Sequence, residues 1–226
     1  MNQSGLVFSL GKFVYDLFVR PIIPNTCRLV LQNGVPSWRE MKILDLKTDF
    51  PEYERGISNS IEQYVDKGSS VVIVGGGKGV TTVKAANAVG PEGNVTVFEA
   101  SDTMVDVVSE TVKINAVDDI VTVKHTTVSS VHENSSDNYG RSTATGMEPS
   151  QLPECDVLEL DCEGAEIEIL RGLSSWPELI IVEVHDVYGA SESEVRAILS
   201  ENSYEIIDRD IEADDDGVYV LTAKLR

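Results

Sequence analysis

The stretch VVIVGGGKGVTT, residues 71–82, decides the fold of this chain. Its first half is a run of apolar, mostly β-branched residues, which is typical of a strand buried on both faces. Glycines follow at the carboxyl end, where they let the backbone turn sharply and approach a ligand without a Cβ in the way. These glycines are Gly75, Gly76, Gly77 and Gly79. The stretch therefore predicts a strand, a nucleotide-binding turn and a helix.

A second apolar strand supports this prediction. Residues 95–98 are followed by Glu99, which lies twenty residues after Gly79. At about that distance, nucleotide-binding folds of this kind carry the acid that hydrogen-bonds a ribose diol. We therefore predict that the glycines and Glu99 bind a nucleoside cofactor.

The glycine spacing distinguishes between classes of nucleotide-binding protein. Residues 75–79 read G-x-G-x-G, which is common in S-adenosylmethionine methyltransferases, whereas dinucleotide enzymes usually carry G-x-G-x-x-G. A P-loop would need Ser or Thr after Lys78, and Gly79 stands there instead. A nicotinamide-dependent reductase of the short-chain class is also disfavoured, because no tyrosine is followed by a lysine four residues later.

Two later blocks carry a more specific signal. Residues 156–172 read DVLELDCEGAEIEILRG, and residues 179–186 read LIIVEVHD. With the glycine turn, they resemble the FkbM family of methyltransferases, which typically shows a D-V-G-A-N-x-G turn, a strand ending in (K/L)-x-D-x-E-G-x-E and a later strand ending in E-x-H. The matching residues are Asp161, Glu163, Gly164, Glu166, Glu183 and His185. The resemblance covers roughly residues 51–225.

The chain departs from this family pattern at the glycine turn. Ile73 stands where the pattern usually has an acid, and Gly77 and Lys78 replace the usual Asn and apolar residue. Loss of the acid implies either that another carboxylate takes over a contact near the amino-acid part of the cofactor, or that affinity is weaker. The three consecutive glycines also resemble haloarchaeal members of the family. A non-catalytic nucleoside-binding or scaffold protein with this fold stays open as an alternative.

The resemblance implies an S-adenosylmethionine-dependent O-methyltransferase for a saccharide or another small polyhydroxylated acceptor, with a lipid-linked glycan as one candidate. The predicted catalytic residues are His185, Asp161, Glu163 and Glu183. The predicted cofactor-binding residues are Gly75, Gly76, Gly77, Gly79, Glu99 and Asp161. An unperturbed histidine titrates near neutral pH, so His185 could act as a base. We assign no metal, although the four catalytic candidates could instead gather a divalent ion, because hard cations prefer carboxylate oxygens.

Strand and helix patterns alternate along the rest of the chain. Strands are predicted at 71–74, 95–99, 120–125, 156–160, 179–184, 204–209 and 217–224, and helices at 79–89, 103–115, 165–170 and 191–201. This order predicts an α/β fold with a Rossmann-like, doubly wound sheet of the class I methyltransferase type, mostly parallel with a C-terminal antiparallel hairpin. We divide the chain into a helical or irregular extension, residues 1–50, and a cofactor-binding methyltransferase domain, residues 51–226. The polar residues 132–151 are predicted to form a lid, a substrate loop or a linker.

Charge and cysteine content suggest where the protein works. The chain has 38 acidic and 18 basic residues, a formal charge of -20. Such a surface repels itself in dilute buffer, but at ~1 M salt the screening length falls to about 3 Å. We therefore predict a halophilic, archaeal, cytoplasmic enzyme, with an acidic mesophilic enzyme as the alternative. Nucleic acid is not expected as a partner, because its binding depends on Lys and Arg. The odd number of cysteines, without a C-x-x-C pair, predicts free thiols in a reducing compartment.

The N-terminal residues 6–19 form an apolar stretch. Its apolar residues recur at helical spacing, but the stretch is too short to span a membrane and contains Lys12 and Asp16. We expect a helix that packs on the core or on another subunit, or a peripheral membrane contact that holds the enzyme near a lipid-linked substrate. The oligomeric state stays open.

Overall fold

A computed structural model describes residues 20–128, 144–185, 191–213 and 217–226. The strands are β1 (Asn25–Gln32), β2 (Val35–Lys42), β3 (Asp49–Phe50), β4 (Ser70–Val74), β5 (Asn94–Glu99), β6 (Val121–Val128), β7 (Thr145–Met147), β8 (Val157–Leu160), β9 (Leu179–His185), β10 (Tyr204–Ala213) and β11 (Val218–Leu225). The helices are α1 (Arg55–Tyr64), α2 (Val80–Val89), α3 (Asp102–Ile114), α4 (Glu166–Gly172) and α5 (Glu192–Glu201). Short 3₁₀ helices lie at Arg20–Ile22 and Pro149–Gln151.

Eight of these strands form one large sheet in the order β10-β11-β9-β8-β4-β5-β6-β7. Neighbours from β9 to β7 run parallel, whereas β11 runs antiparallel to both β9 and β10. The predicted doubly wound, mostly parallel sheet with a C-terminal antiparallel hairpin is therefore confirmed. The chain starts the sheet at β4, moves outward to β7 and returns to β8 on the other side of β4. Ligands of such sheets bind at the carboxyl ends of the strands beside this switch point.

Both faces of the large sheet are covered by helices, which explains the uninterrupted apolar run of β4. Alternate residues of a strand point to opposite faces. Val71 and Ile73 belong to the apolar layer that contains α1, α2 and α3 residues, whereas Val72 and Val74 belong to the layer with α4 and α5. Polar residues at these four positions would be buried on one face or the other, so the whole strand is apolar.

The N-terminal region differs from the prediction, since residues 25–50 contain a second sheet rather than helical or irregular structure. Its strands are arranged in the order β2-β1-β3, and β1 and β2 form an antiparallel hairpin. Asn33 and Gly34 connect them, and both have a positive φ. An Asn-Gly pair between two strands is the strongest short-range hairpin signal that a sequence offers. Val35 packs on α2, and the Asn115 side-chain amide donates a hydrogen bond to the Pro36 carbonyl (2.8 Å). The boundary at residue 50 stays a prediction.

Two sequence predictions fall outside the described residues. These are the helix over 6–19 and the part of the polar loop over 132–143. Within the described part of that loop, residues 145–147 form β7 at the edge of the large sheet. No helix in the described part of the chain is long and apolar enough to cross a membrane. All three cysteines are free, as predicted.

The carboxyl ends of β4 and β8 approach each other so closely that only glycine fits between them. Gly75 has a φ of +96°, and a Cβ on it would lie 1.8 Å from the backbone oxygen of Asp161. The turn after β4 therefore depends on Gly75 for two reasons, the conformation of its backbone and the space beside it.

We expect Gly75→Ala to lower the free energy of unfolding by about 3 kcal/mol or more, because it adds both backbone strain and a clash with backbone atoms. Gly146→Ala is the matched control: Gly146 lies in β7 with nothing within 4 Å of an added Cβ. Its effect should stay within about 0.5 kcal/mol. Urea titrations of both variants test this, and equal stabilities would contradict it.

Candidate functional site

The glycine turn after β4 is held in place by Glu99 at the end of β5. One carboxylate oxygen, Oε2, accepts hydrogen bonds from the backbone N–H groups of Gly76 (2.9 Å) and Gly77 (3.2 Å). The other, Oε1, accepts one from the N–H of Ser101 (2.8 Å). Glu99 is buried and thus sets the shape of the turn. Gly79, with a φ of +79°, then leads into α2. Contact of these residues with a cofactor stays a prediction.

The ends of β8 and β9 bring three of the four catalytic candidates together. Leu160 lies beside Val182 in the sheet, so Asp161, the next residue after β8, comes next to Glu183. Glu183 and His185 are two residues apart on β9 and point to the same face. The imidazole Nε2 of His185 lies 3.3 Å from Glu183 Oε1 and 3.7 Å from Asp161 Oδ1.

Glu166, at the start of α4, completes this group. Its Oε1 lies 3.2 Å from His185 Nδ1, and its two oxygens accept hydrogen bonds from the Gly164 N–H at 2.9 and 3.1 Å. Glu166 is fully buried. We call Asp161, Glu166, Glu183 and His185 the His185 cluster. The family pattern contains Glu166, but sequence reasoning did not assign it to the site, because the contact with His185 depends on how α4 packs on β9.

The pKa of His185 is raised to about 11. Burial alone would lower it, but hydrogen bonds to Glu166 and Glu183 and the charge of Asp161 outweigh burial. The assumption of an unperturbed pKa near neutrality is therefore wrong, and His185 carries a positive charge at neutral pH. The pKa of Asp161 is raised well above its ordinary value by burial and by the neighbouring charge of Glu183, although His185 opposes this rise.

Glu163 lies in the turn between β8 and α4, where it adopts a left-handed backbone conformation with a φ of +49°. It is not among the residues whose oxygen and nitrogen atoms converge with those of Asp161, Glu183 and His185. Its predicted catalytic role stays a prediction.

Two further charged residues lie near this edge of the sheet and were not predicted from the sequence. Burial raises the pKa of Glu54, just before α1, to about 7; a hydrogen bond to Tyr53 opposes the rise and the nearby charge of Glu183 adds to it. Lys78, in the glycine turn, places its ammonium 4.6 Å from the centre of the Tyr53 ring. Burial lowers the pKa of Lys78, and so does the nearby charge of Arg39, whereas Glu54 opposes this change. No local sequence pattern marks Glu54, because only the packing of α1 brings it here.

We expect His185 to remain an imidazolium at pH 8 in chelator-treated protein, because three carboxyl groups surround its ring. Nitrogen NMR shifts of the histidine ring should show both nitrogens protonated. A folded pKa of about 11 lies above the unfolded value of about 6.5. The stabilisation is therefore complete below about pH 6.5 and is lost as the pH rises towards about 11.

Glu166→Gln is the matched variant for this measurement, because it removes one charge and keeps the shape of the side chain. It should lower the pKa of His185 and weaken the pH dependence of stability over the same range. A neutral ring at pH 8 in the original protein would contradict the assignment.

Comparison with known proteins agrees with the fold. A model of the FkbM methyltransferase domain matches residues 51–206. Comparison with curated protein sequences finds no match.

Three solved structures show the shared fold. A ribosomal protein L11 methylase from Lactobacillus delbrueckii subsp. bulgaricus is 14% identical, with a TM-score of 0.55 over 78% of this chain and 80% of that one. A precorrin-6y C5,15-methyltransferase from Geobacter metallireducens is 15% identical, with a TM-score of 0.51 over 82% and 92% of the two chains. Fibrillarin from Aeropyrum pernix, with natively bound S-adenosyl-L-methionine, is 14% identical, with a TM-score of 0.51 over 87% and 82%. Such identities establish only the fold, whereas the family model covers more than half of the chain, and the protein therefore belongs to the FkbM family of methyltransferases.

Proposed function

We propose that this S-adenosylmethionine-dependent methyltransferase transfers its methyl group to a hydroxyl oxygen of a saccharide or another small polyhydroxylated acceptor. The observation that carries the proposal is the His185 cluster at the carboxyl edge of the sheet, next to the glycine turn. Carboxylates accept hydrogen bonds from several hydroxyl groups at once, which suits an acceptor rich in hydroxyls.

The cofactor would lie across the ends of β4 and β5. There, the glycine turn offers its backbone without side chains, and Glu99, which already accepts three of the about four hydrogen bonds open to a carboxylate, keeps capacity for one ribose hydroxyl. Fibrillarin from Aeropyrum pernix carries natively bound S-adenosyl-L-methionine on the same fold, which supports this cofactor. The methyl group would then be near Asp161, because Gly75 and Asp161 are in direct contact.

The reaction forms two bonds, the oxygen–carbon bond and the bond of the acceptor proton to a base, and breaks two, the carbon–sulfur and oxygen–hydrogen bonds. The acceptor oxygen bonds to the methyl carbon, the carbon–sulfur bond breaks with its electron pair going to sulfur, and the acceptor proton leaves. His185 cannot take this proton at neutral pH, because it is already protonated. We assign the proton to Glu54, since its Oε1 lies beside Gly77 in the glycine turn and its pKa of about 7 matches a base that works near neutrality. His185 instead holds the carboxylates of its cluster in position.

The composition of the chain supports a proposal about where the enzyme works and what it methylates. The formal charge of -20 supports an enzyme that works in concentrated salt, as in a haloarchaeal cytoplasm, and disfavours nucleic acid as the acceptor. The apolar residues 6–19 support a lipid-linked glycan as the acceptor, held near a membrane surface.

Calorimetric titration of S-adenosylmethionine and its demethylated product, at ~2–3 M KCl, tests the cofactor site. Glu99→Gln should weaken binding by about tenfold or more, because an amide nitrogen cannot accept the Ser101 N–H bond that the carboxylate accepts. Glu92→Gln, the same change at an exposed loop residue, should bind as the original protein does.

Labelled methyl transfer to free and lipid-linked saccharides then tests the acceptor. Transfer to a hydroxyl group is the expected result. A folded protein that does not bind the cofactor would contradict methyl transfer altogether. Binding without transfer to any hydroxylated acceptor would favour the non-catalytic alternative.

Glu54→Gln should reduce kcat by about 10²-fold or more, because it removes the proton acceptor. For the original enzyme, the rate should rise as the pH increases through about 7, where Glu54 loses its proton. The variant should lose this rise, whereas Glu52→Gln, a change at an exposed neighbour, should keep it. A Glu54→Gln enzyme with an unchanged pH profile would exclude Glu54 as the base.

A further inference from the structure

Three side chains at the ends of β8 and β9 converge as the ligands of one metal ion would. One oxygen each from Asp161 and Glu183 and one nitrogen of His185 lie within 4.8 Å of one another. We propose that these three residues bind a divalent cation. Neighbouring ligands of an ion with bonds of about 2.1 Å lie about 3.0–3.4 Å apart. The separations of 3.3 and 3.7 Å from His185 Nε2 are already close to that range.

Glu183 supplies an independent sign of a missing ligand. The residue is only 7% exposed, and its Oε2 has no hydrogen-bond partner among the described residues. A buried carboxylate oxygen without a hydrogen-bond partner destabilises the folded protein, because it has lost its hydrating water and accepts no hydrogen bond in its place. A cation at the convergence of the three side chains would satisfy this oxygen if Glu183 bound it through both carboxylate oxygens, as carboxylates often bind hard cations.

The ring of His185 is oriented as metal-binding histidines usually are. Nδ1 faces the Glu166 carboxylate at 3.2 Å, and Glu166 is itself fixed by the Gly164 N–H. A carboxylate that binds the second ring nitrogen fixes the tautomer and aims the first nitrogen at the metal. Here that first nitrogen, Nε2, faces Asp161 and Glu183, and the cation would displace the proton that Nε2 carries in the chelator-treated protein.

The site is closed on one side and open on the other. The side chains of Glu183 and His185 are 10% and 9% exposed, whereas that of Asp161 is 23% exposed. Three protein ligands leave coordination positions for water or substrate. One imidazole with two carboxylates suits a first-row divalent ion such as Mn²⁺.

The role of this ion rests on the proposed function. Adjacent hydroxyl groups of the saccharide would bind the open positions on the Asp161 side. The ion would lower the pKa of the bound hydroxyl, so that its oxygen–hydrogen bond breaks more readily and the proton passes to Glu54. The acceptor oxygen would then attack the methyl carbon while still bound to the ion.

Electron paramagnetic resonance with Mn²⁺ tests the site in the full chain, after treatment with a chelator and dialysis into ~2 M KCl, where surface carboxylates are screened. We expect one bound Mn²⁺ per chain. Pulsed measurements on the original protein should show coupling to a ¹⁴N nucleus from His185, which requires no variant. Absence of a bound ion, or a bound ion without nitrogen coupling, would overturn the proposal.

Variants locate the ion. Glu183→Gln and Asp161→Asn should each weaken Mn²⁺ binding by at least about tenfold, whereas Glu92→Gln, with the same change of charge on the surface, should not. Circular dichroism confirms that each variant is folded. Equal affinities for Glu183→Gln and Glu92→Gln would overturn the assignment.

Titration of S-adenosylmethionine in the presence of chelator separates this proposal from the proposed function. If the protein binds the cofactor but no Mn²⁺, the proposed metal site is wrong and the methyltransferase assignment is unaffected. If the protein binds Mn²⁺ but not the cofactor, the metal site is supported and its proposed role in methyl transfer is contradicted.

Discussion

The contact between Gly75 and the backbone of Asp161 is the constraint on which the site depends. The Asp161 N–H donates a hydrogen bond to the Val74 carbonyl (3.0 Å), and the Gly75 N–H donates one to the Phe98 carbonyl (2.9 Å). The turn after β4 is thus tied to the strands on both sides, and Glu99 holds its next two N–H groups. The glycine turn is part of the sheet rather than a loose loop, so its position is fixed by the strands on both sides of it.

Charge balance is the second constraint on this edge of the sheet. The His185 cluster places three carboxyl groups around one imidazole in a mostly buried space. Buried charges are tolerated only when they are paired and hydrogen-bonded, and removing one partner leaves the others uncompensated. Without a bound cation, the positive charge of His185 therefore stabilises the fold by offsetting part of the negative charge of these carboxyl groups. For the same reason, the proton exchange with the acceptor is proposed for Glu54, a residue outside the cluster.

The sequence predicted the strands and helices of the large sheet well, because continuous apolar runs and glycines are local features. It also assigned Asp161, Glu183 and His185 to one site, and the structure brings these three together where the carboxyl ends of the parallel strands meet. It could not predict the pKa of His185 or the approach of Glu54, because both arise from packing between distant segments. The N-terminal sheet was missed although Asn33-Gly34 is a hairpin signal, because Leu29 and Leu31 of β1 face solvent while Gln32 is buried, so apolar and polar residues do not alternate with burial.

Ile73 illustrates how a departure from the family pattern is absorbed by the fold. Ile73 is fully buried, and its partners across the sheet are Val97 and Glu159. Glu159 itself stands where the pattern has Lys or Leu, two residues before Asp161. Burial raises the pKa of Glu159 to about 8, with the Thr81 hydroxyl opposing the rise, so its carboxyl is mostly protonated at neutral pH. An acid at position 73 would add a second buried carboxyl directly beside the first. An apolar residue at position 73 therefore fits a chain with Glu159 on the neighbouring strand. The missing acid is accounted for by the packing of the sheet and is no sign that the chemistry has been lost.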